Sequence, residues 1–132
     1  MAKNRPFIMA VRPNLDFSLR AVPTKSSYLY PMIIYSVTVA IEHRSSAEWL
    51  QWMQTKHIPD VMATGFFEGF SIRKLIDPEP EPGSQNFNIQ YTCRDMATLE
   101  KYQQTAAPAL QEEHAERYKE RFFAFRTILE EL

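Results

Sequence analysis

The chain has 132 residues, 45% hydrophobic and 23% charged, with a net charge of −1. That suffices for one domain with one core, and it excludes a general electrostatic attraction to nucleic acid or an anionic membrane. A single cysteine, Cys93, excludes an internal disulfide and points to a reducing, cytoplasmic setting, and no apolar run reaches the ~20 residues of a membrane-crossing helix.

Residues 1–31 read as a basic, proline-containing extension. Pro6, Pro13, Pro23 and Pro31 interrupt it, and Lys3, Arg5, Arg12, Arg20 and Lys25 face a single acid, Asp16. No helical or strand period lasts there, so the segment is expected to be loosely held unless a second subunit catches it. Met32 is itself a plausible start.

From Met32 to Ile41 the alternation of a strand sets in. Ile33, Tyr35, Val37, Val39 and Ile41 form one row, and Ile34, Ser36, Thr38 and Ala40 the other. Ser45-Ser46-Ala47-Glu48 has the spacing of a capping box, which predicts a helix N-terminus. Helical periodicity then gathers Trp49, Leu50, Met53 and His57 on one face. Pro59 cannot continue that helix without loss but suits the first turn of a new one. Gly65 suits a left-handed cap at its end.

Phe66 to Ile76 reads as a second strand, with Phe70, Ile72 and Ile76 inward and Ser71 and Arg73 outward. Asp77 to Gly83 is an acidic, proline-stiffened loop. Asn86 to Arg94 has the cleanest alternation, with Phe87, Ile89, Tyr91 and Cys93 on one row and Asn88, Gln90 and Thr92 on the other. Asp95 is placed to cap the next helix, whose stripe is Leu99, Tyr102 and Ala106. After Pro108 a helical stretch carries Leu110, His114 and Tyr118 on one face. Phe122 to Leu129 closes as a fourth strand. Phe123, Phe125 and Leu129 are assigned to the inward row, and Phe122, Ala124, Arg126 and Ile128 to the outward one.

The order β-α-β-β-α-β over residues 32–132 predicts an α+β, ferredoxin-like sandwich: a four-stranded antiparallel sheet with helices on one face. The other face is left open, and a homodimer is its expected cover. RNA is not expected there, because the outward row of the central strands offers Asn88, Gln90 and Thr92 and no stacking aromatic.

The segments Met32 to Val39, Trp49 to Met53 with His57-Ile58-Pro59-Asp60-Val61, Thr64-Gly65, Asn88 to Tyr91 and Phe125 to Leu129 resemble a small bacterial family classed only as a domain of unknown function. The W-x-x-W-M-x-x-x-H-I-P block is the most specific part. The resemblance implies the architecture of the dimeric α/β-barrel superfamily, which includes cofactor-free monooxygenases of the antibiotic-biosynthesis type, muconolactone isomerases and haem-binding relatives. It implies no established activity.

His57 is the best single candidate for chemistry. On the apolar helix face it is placed to act as a general base, with Asp60 orienting its ring; the competing reading is a histidine that only ties the helix end. Arg73 and Arg126, with Gln90, Asn88 and Thr38, are expected to form an open-face site for a carboxylate or other small anion. The competing reading pairs both arginines with Glu42, Glu68 or a C-terminal acid. Trp52, at the stripe's edge, is expected to line a pocket or the dimer contact, while Trp49, Tyr35 and Tyr91 are core. His43, His57 and His114 have no partner at metal-ligand spacing, His57 or His114 could serve a haem only without local support, and no glycine-rich phosphate loop occurs. No metal or cofactor is therefore expected. Three readings stay open: a small-molecule-binding homodimer, a cofactor-independent monooxygenase or isomerase using His57, and a purely structural interaction module.

Overall fold

The computed structural model describes residues 31–132, so the expectation for the extension over residues 1–31 lies outside the described residues apart from Pro31. The elements run β1 (Ile33–Glu42), α1 (Ser46–Trp52), a π-helical stretch (Met53–His57), α2 (Ile58–Ala63), β2 (Gly69–Leu75), β3 (Ser84–Cys93), α3 (Met96–Thr105), α4 (Ala107–Arg117) and β4 (Phe122–Glu130). All three strand pairings are antiparallel and the sheet order is β2-β3-β1-β4. This is the expected α+β, ferredoxin-like arrangement.

Strand alternation sorts the side chains as read for β1 and β3. Ile33, Tyr35, Val39, Ile41, Phe87, Ile89, Tyr91 and Cys93 are buried against Trp49, Met53, Ile58, Val61, Leu99, Tyr102 and Tyr118 from the helices. Cys93 is fully buried, a small core residue. On the opposite face, Asn88 donates to the Ser36 and Thr38 hydroxyls at 2.9 and 3.1 Å, a polar ladder across the two central strands.

β4 overturns its expected orientation. Its register with β1 sets Val37 opposite Arg126, Val39 opposite Ala124 and Ile41 opposite Phe122. Directly paired residues share a face, so Phe122, Ala124 and Arg126 point to the helices. Phe123, Phe125 and Leu129 point to the open face, where they are 68%, 51% and 46% exposed. Both rows of this strand are apolar, so hydrophobicity alone could not choose between them. The open face of the edge strand therefore carries two phenylalanines and a leucine in place of Phe122 and Ile128. In β2, Phe70 remains half exposed, and Ile76 lies past the strand end and is exposed.

Local signals at the helix ends fared differently. Asp95 caps α3, its carboxylate accepting from the Thr98 N–H at 2.8 Å. Gly65 ends α2 with φ +83°, a conformation that suits glycine. The expected capping box does not form. Residues His43–Ser45 make a 3₁₀ turn, Ser46 donates to the His43 carbonyl, and Glu48 binds Arg117 and Tyr118 at 2.6 and 2.9 Å. A cross-helix ion pair has taken the carboxylate that a capping box would use. Pro59 sits in the first turn of α2, as expected, and the chain stays helical through it. The ring crowds the preceding turn and offers no N–H, and the pairing widens just upstream, with the Ile58 N–H bonding to the Met53 carbonyl. Such wide turns recur at functional sites.

Candidate functional site

A cavity of ≈ 40 Å³ lies between the helices and the sheet. Its walls are mostly apolar, with Val37, Val39 and Ile89 from the sheet and Met53, Val61 and Leu110 from the helices. Its polar groups are Tyr35, Tyr91, Tyr102, His57, His114, Gln111 and Arg126, and no carboxylate is among the lining residues. The volume is little more than one water's share of the liquid. It suits one small group of a ligand whose remainder lies at the mouth, where Arg126 is exposed.

His57 reaches the cavity from the end of the π-helical stretch. Its Nδ1 is buried and has no hydrogen-bond partner among the described residues. Burial pushes its pKa down, against an opposing pull from Glu113 and Asp60, so the neutral ring dominates near neutral pH. Asp60 does not orient this ring as expected. It pairs with Lys56, which also reaches Glu113 on α4 at 3.3 Å.

His114 on α4 stands 5.7 Å from His57, ring centre to ring centre, and packs edge-on to Phe122 at 4.4 Å. Its Nε2 accepts a hydrogen bond from the Trp49 indole N–H at 2.9 Å, and both residues are buried. Burial first, then the nearby His57 and Arg126, push its pKa down to about 4. The Tyr35 hydroxyl lies beside the Arg126 guanidinium and the Gln111 side chain; burial raises its pKa, and the arginine acts against that. Tyr91 and Tyr102 are also pushed up by burial. All three phenols therefore stay protonated at ordinary pH and can act as donors.

The residues expected to act together separate into two groups. His57 and Arg126 meet at the cavity. Arg73, Asn88, Gln90 and Thr38 stay on the opposite face of the sheet, where Arg73 bonds the Ser71 hydroxyl at 2.6 Å. The expected convergence of Arg73 and Arg126 on one cleft does not occur, because the β4 register turns Arg126 inward. Neither arginine forms an ion pair among the described residues; Glu42 pairs with Arg44 and Glu68 with Arg94. Trp52 is buried behind the cavity, 5.3 Å from His57 and 5.2 Å from the Arg117 guanidinium, and is not a lining residue. Tyr35, Gln111 and His114 also line the cavity. His114 carried a signal in its buried helical spacing from Leu110 and Tyr118, whereas Gln111 carried none. No group of three metal-ligating side chains occurs among the described residues, and no helix there is long and apolar enough to cross a membrane.

A family model described as a domain of unknown function, DUF4286, matches residues 32–132. No curated protein matches the chain. Among solved structures, an ethyl tert-butyl ether D (EthD) family protein from Bacillus halodurans C-125 aligns at 10% identity over 76% of this chain and 99% of that one, with a TM-score of 0.58. A dimeric ferredoxin-like protein from an uncultured marine organism aligns at 9% identity, 76% and 94% coverage, and a TM-score of 0.53. A candidate antibiotic biosynthesis monooxygenase from Bacillus cereus aligns at 11% identity, 76% and 92% coverage, and a TM-score of 0.51. At these identities the likeness is one of fold.

Proposed function

The chain belongs to the DUF4286 family of domains of unknown function, and we propose that it binds a small anionic molecule in the cavity between helices and sheet, with Arg126 as the anion contact. One observation carries this reading: an arginine without an ion-pair partner among the described residues, a tyrosine hydroxyl and a histidine with a free buried nitrogen all line one apolar cavity that has no carboxylate. Such a site favours a negative ligand group with a compact apolar part. A native mass spectrum of the purified protein, followed by titration with short carboxylic acids such as butyrate, tests it. Arg126→Gln should weaken carboxylate binding by roughly 10–100-fold, the range for a lost charge-assisted hydrogen bond. Equal binding by both proteins would sink the assignment.

A second reading is a cofactor-independent enzyme in which His57 is the general base. A buried Nδ1 without a partner among the described residues, on a ring that burial keeps neutral, supports it. His57→Gln should then keep the ligand affinity and lose turnover. The fold shared with a monooxygenase candidate adds only an analogy.

We further propose a homodimer built on the open sheet face, in a protein that works in the cytoplasm. The exposed row Phe123, Phe125 and Leu129 supports the first, as does the dimeric state of one structural neighbour. The lone buried thiol supports the second. Residues 1–31 are then an extension to the ferredoxin-like domain of residues 32–132, and removing them should leave the domain's thermal unfolding unchanged.

A further inference from the structure

The two histidines of the cavity are held in different ways. An indole N–H can only donate, so the 2.9 Å contact from Trp49 makes Nε2 of His114 the acceptor. A neutral imidazole has one N–H, and that proton must then sit on Nδ1. The arrangement is rigid, because Trp49 is fully buried and the His114 ring is wedged between Phe122, Tyr118 and Trp52. The Nδ1 of His57, by contrast, has no hydrogen-bond partner among the described residues. His114, a lining residue of the cavity, therefore carries its one proton on Nδ1.

Building on the anion reading above, we propose that His114 is a specificity-determining donor, and that the ligand is a short oxo acid whose carbonyl oxygen accepts from the His114 Nδ1–H while its carboxylate lies at Arg126. The cavity's size and lining suit this class. A methyl ketone end fits the small apolar interior, and the charged end lies at the exposed arginine. The depressed pKa of His114 keeps the ring an uncharged donor across the neutral range. Tyr35 and Gln111, beside Arg126, supply further donors to the carboxylate.

Acetoacetate and butyrate test this directly, since they share a four-carbon skeleton and differ at the ketone carbonyl. The wild type should bind acetoacetate about fivefold more tightly, the value of one ordinary hydrogen bond. His114→Phe should bind both acids alike. Nitrogen-15 NMR of the wild type at pH 7 should show His114 protonated at Nδ1 and bare at Nε2, and Trp49→Phe should give a mixture of tautomers. These two NMR measurements keep the proposal testable should His114→Phe fail to fold. Equal affinity of the wild type for the two acids, or a proton on Nε2, overturns the role of His114 and leaves the anion reading standing. Binding of neither acid overturns both.

Discussion

His114 binds a proton near pH 6.5 when unfolded but only near pH 4 in the folded protein, since burial disfavours its charged form. Between those values the unfolded chain holds more protons, so folding stability falls as pH falls. The loss from this residue is on the order of 3 kcal/mol, beginning near pH 6.5 and complete near pH 4. His57, also shifted down by burial, changes stability in the same direction. Denaturant unfolding between pH 7 and 4.5 should show this slope, and it should flatten in His114→Phe. A pH-independent midpoint over that range would contradict the buried, neutral imidazole. His57 on an apolar helix face was legible in sequence as a candidate, and the structure keeps it at the cavity wall. Its partners were not. Asp60 sits one helical turn from Lys56 and pairs with it, and the contact between Trp49 and His114 spans 65 residues, beyond any local spacing rule.

At the scale of elements, β1 and β3 were readable because each has one apolar and one polar row. β4 was not, since phenylalanine occurs on both of its rows, and only the pairing of Val37 with Arg126 fixes which row meets the helices. The helix ends divide along the same line. Asp95 has no competing ion-pair partner among the described residues and caps α3 as its position predicts, whereas Glu48 has the right spacing for a cap but a better ligand in Arg117. Asp95→Ala should therefore lower the thermal midpoint, with loss of amide protection confined to the first turn of α3, while Glu48→Gln should act through the contact between α1 and α4. Hydrogen exchange distinguishes the two: unchanged protection at Thr98 in Asp95→Ala would remove the cap from the account. The widened turn before Pro59 also lay beyond sequence reasoning. A proline predicts disruption of α pairing, but whether the helix breaks or widens depends on what packs beneath it, here Met53 and His57 at the cavity wall.

Over the whole molecule, the sheet separates two surfaces. One holds the helices and the cavity. The other carries the Asn88, Ser36 and Thr38 ladder and, along β4, an exposed apolar strip. Such a strip on an edge strand invites association, and the homodimer proposed above would cover it. Phe125→Glu should convert that dimer to monomer in light scattering or native mass spectrometry, because a charge buried there without a partner is costly. Its secondary structure should be unchanged, as Phe125 is outside the core. A wild type that is monomeric at every accessible concentration would remove the dimer from the account.

β4 serves both surfaces with alternating residues: Ala124 and Arg126 for the cavity, Phe123, Phe125 and Thr127 for the open face. The span that delivers it from α4 is short, with Tyr118 bonded to His114 and Arg121 to Tyr118 along the backbone, and Glu120 at φ 64°. Strand alternation has a period of two. One residue gained in that span would put Phe125 in the position of Arg126, and one residue lost would put Thr127 there; either change sends the arginine to the open face. Through insertions and deletions this turn is free to drift only in pairs, so its length, more than its composition, is the heritable quantity that keeps the two surfaces on their own sides.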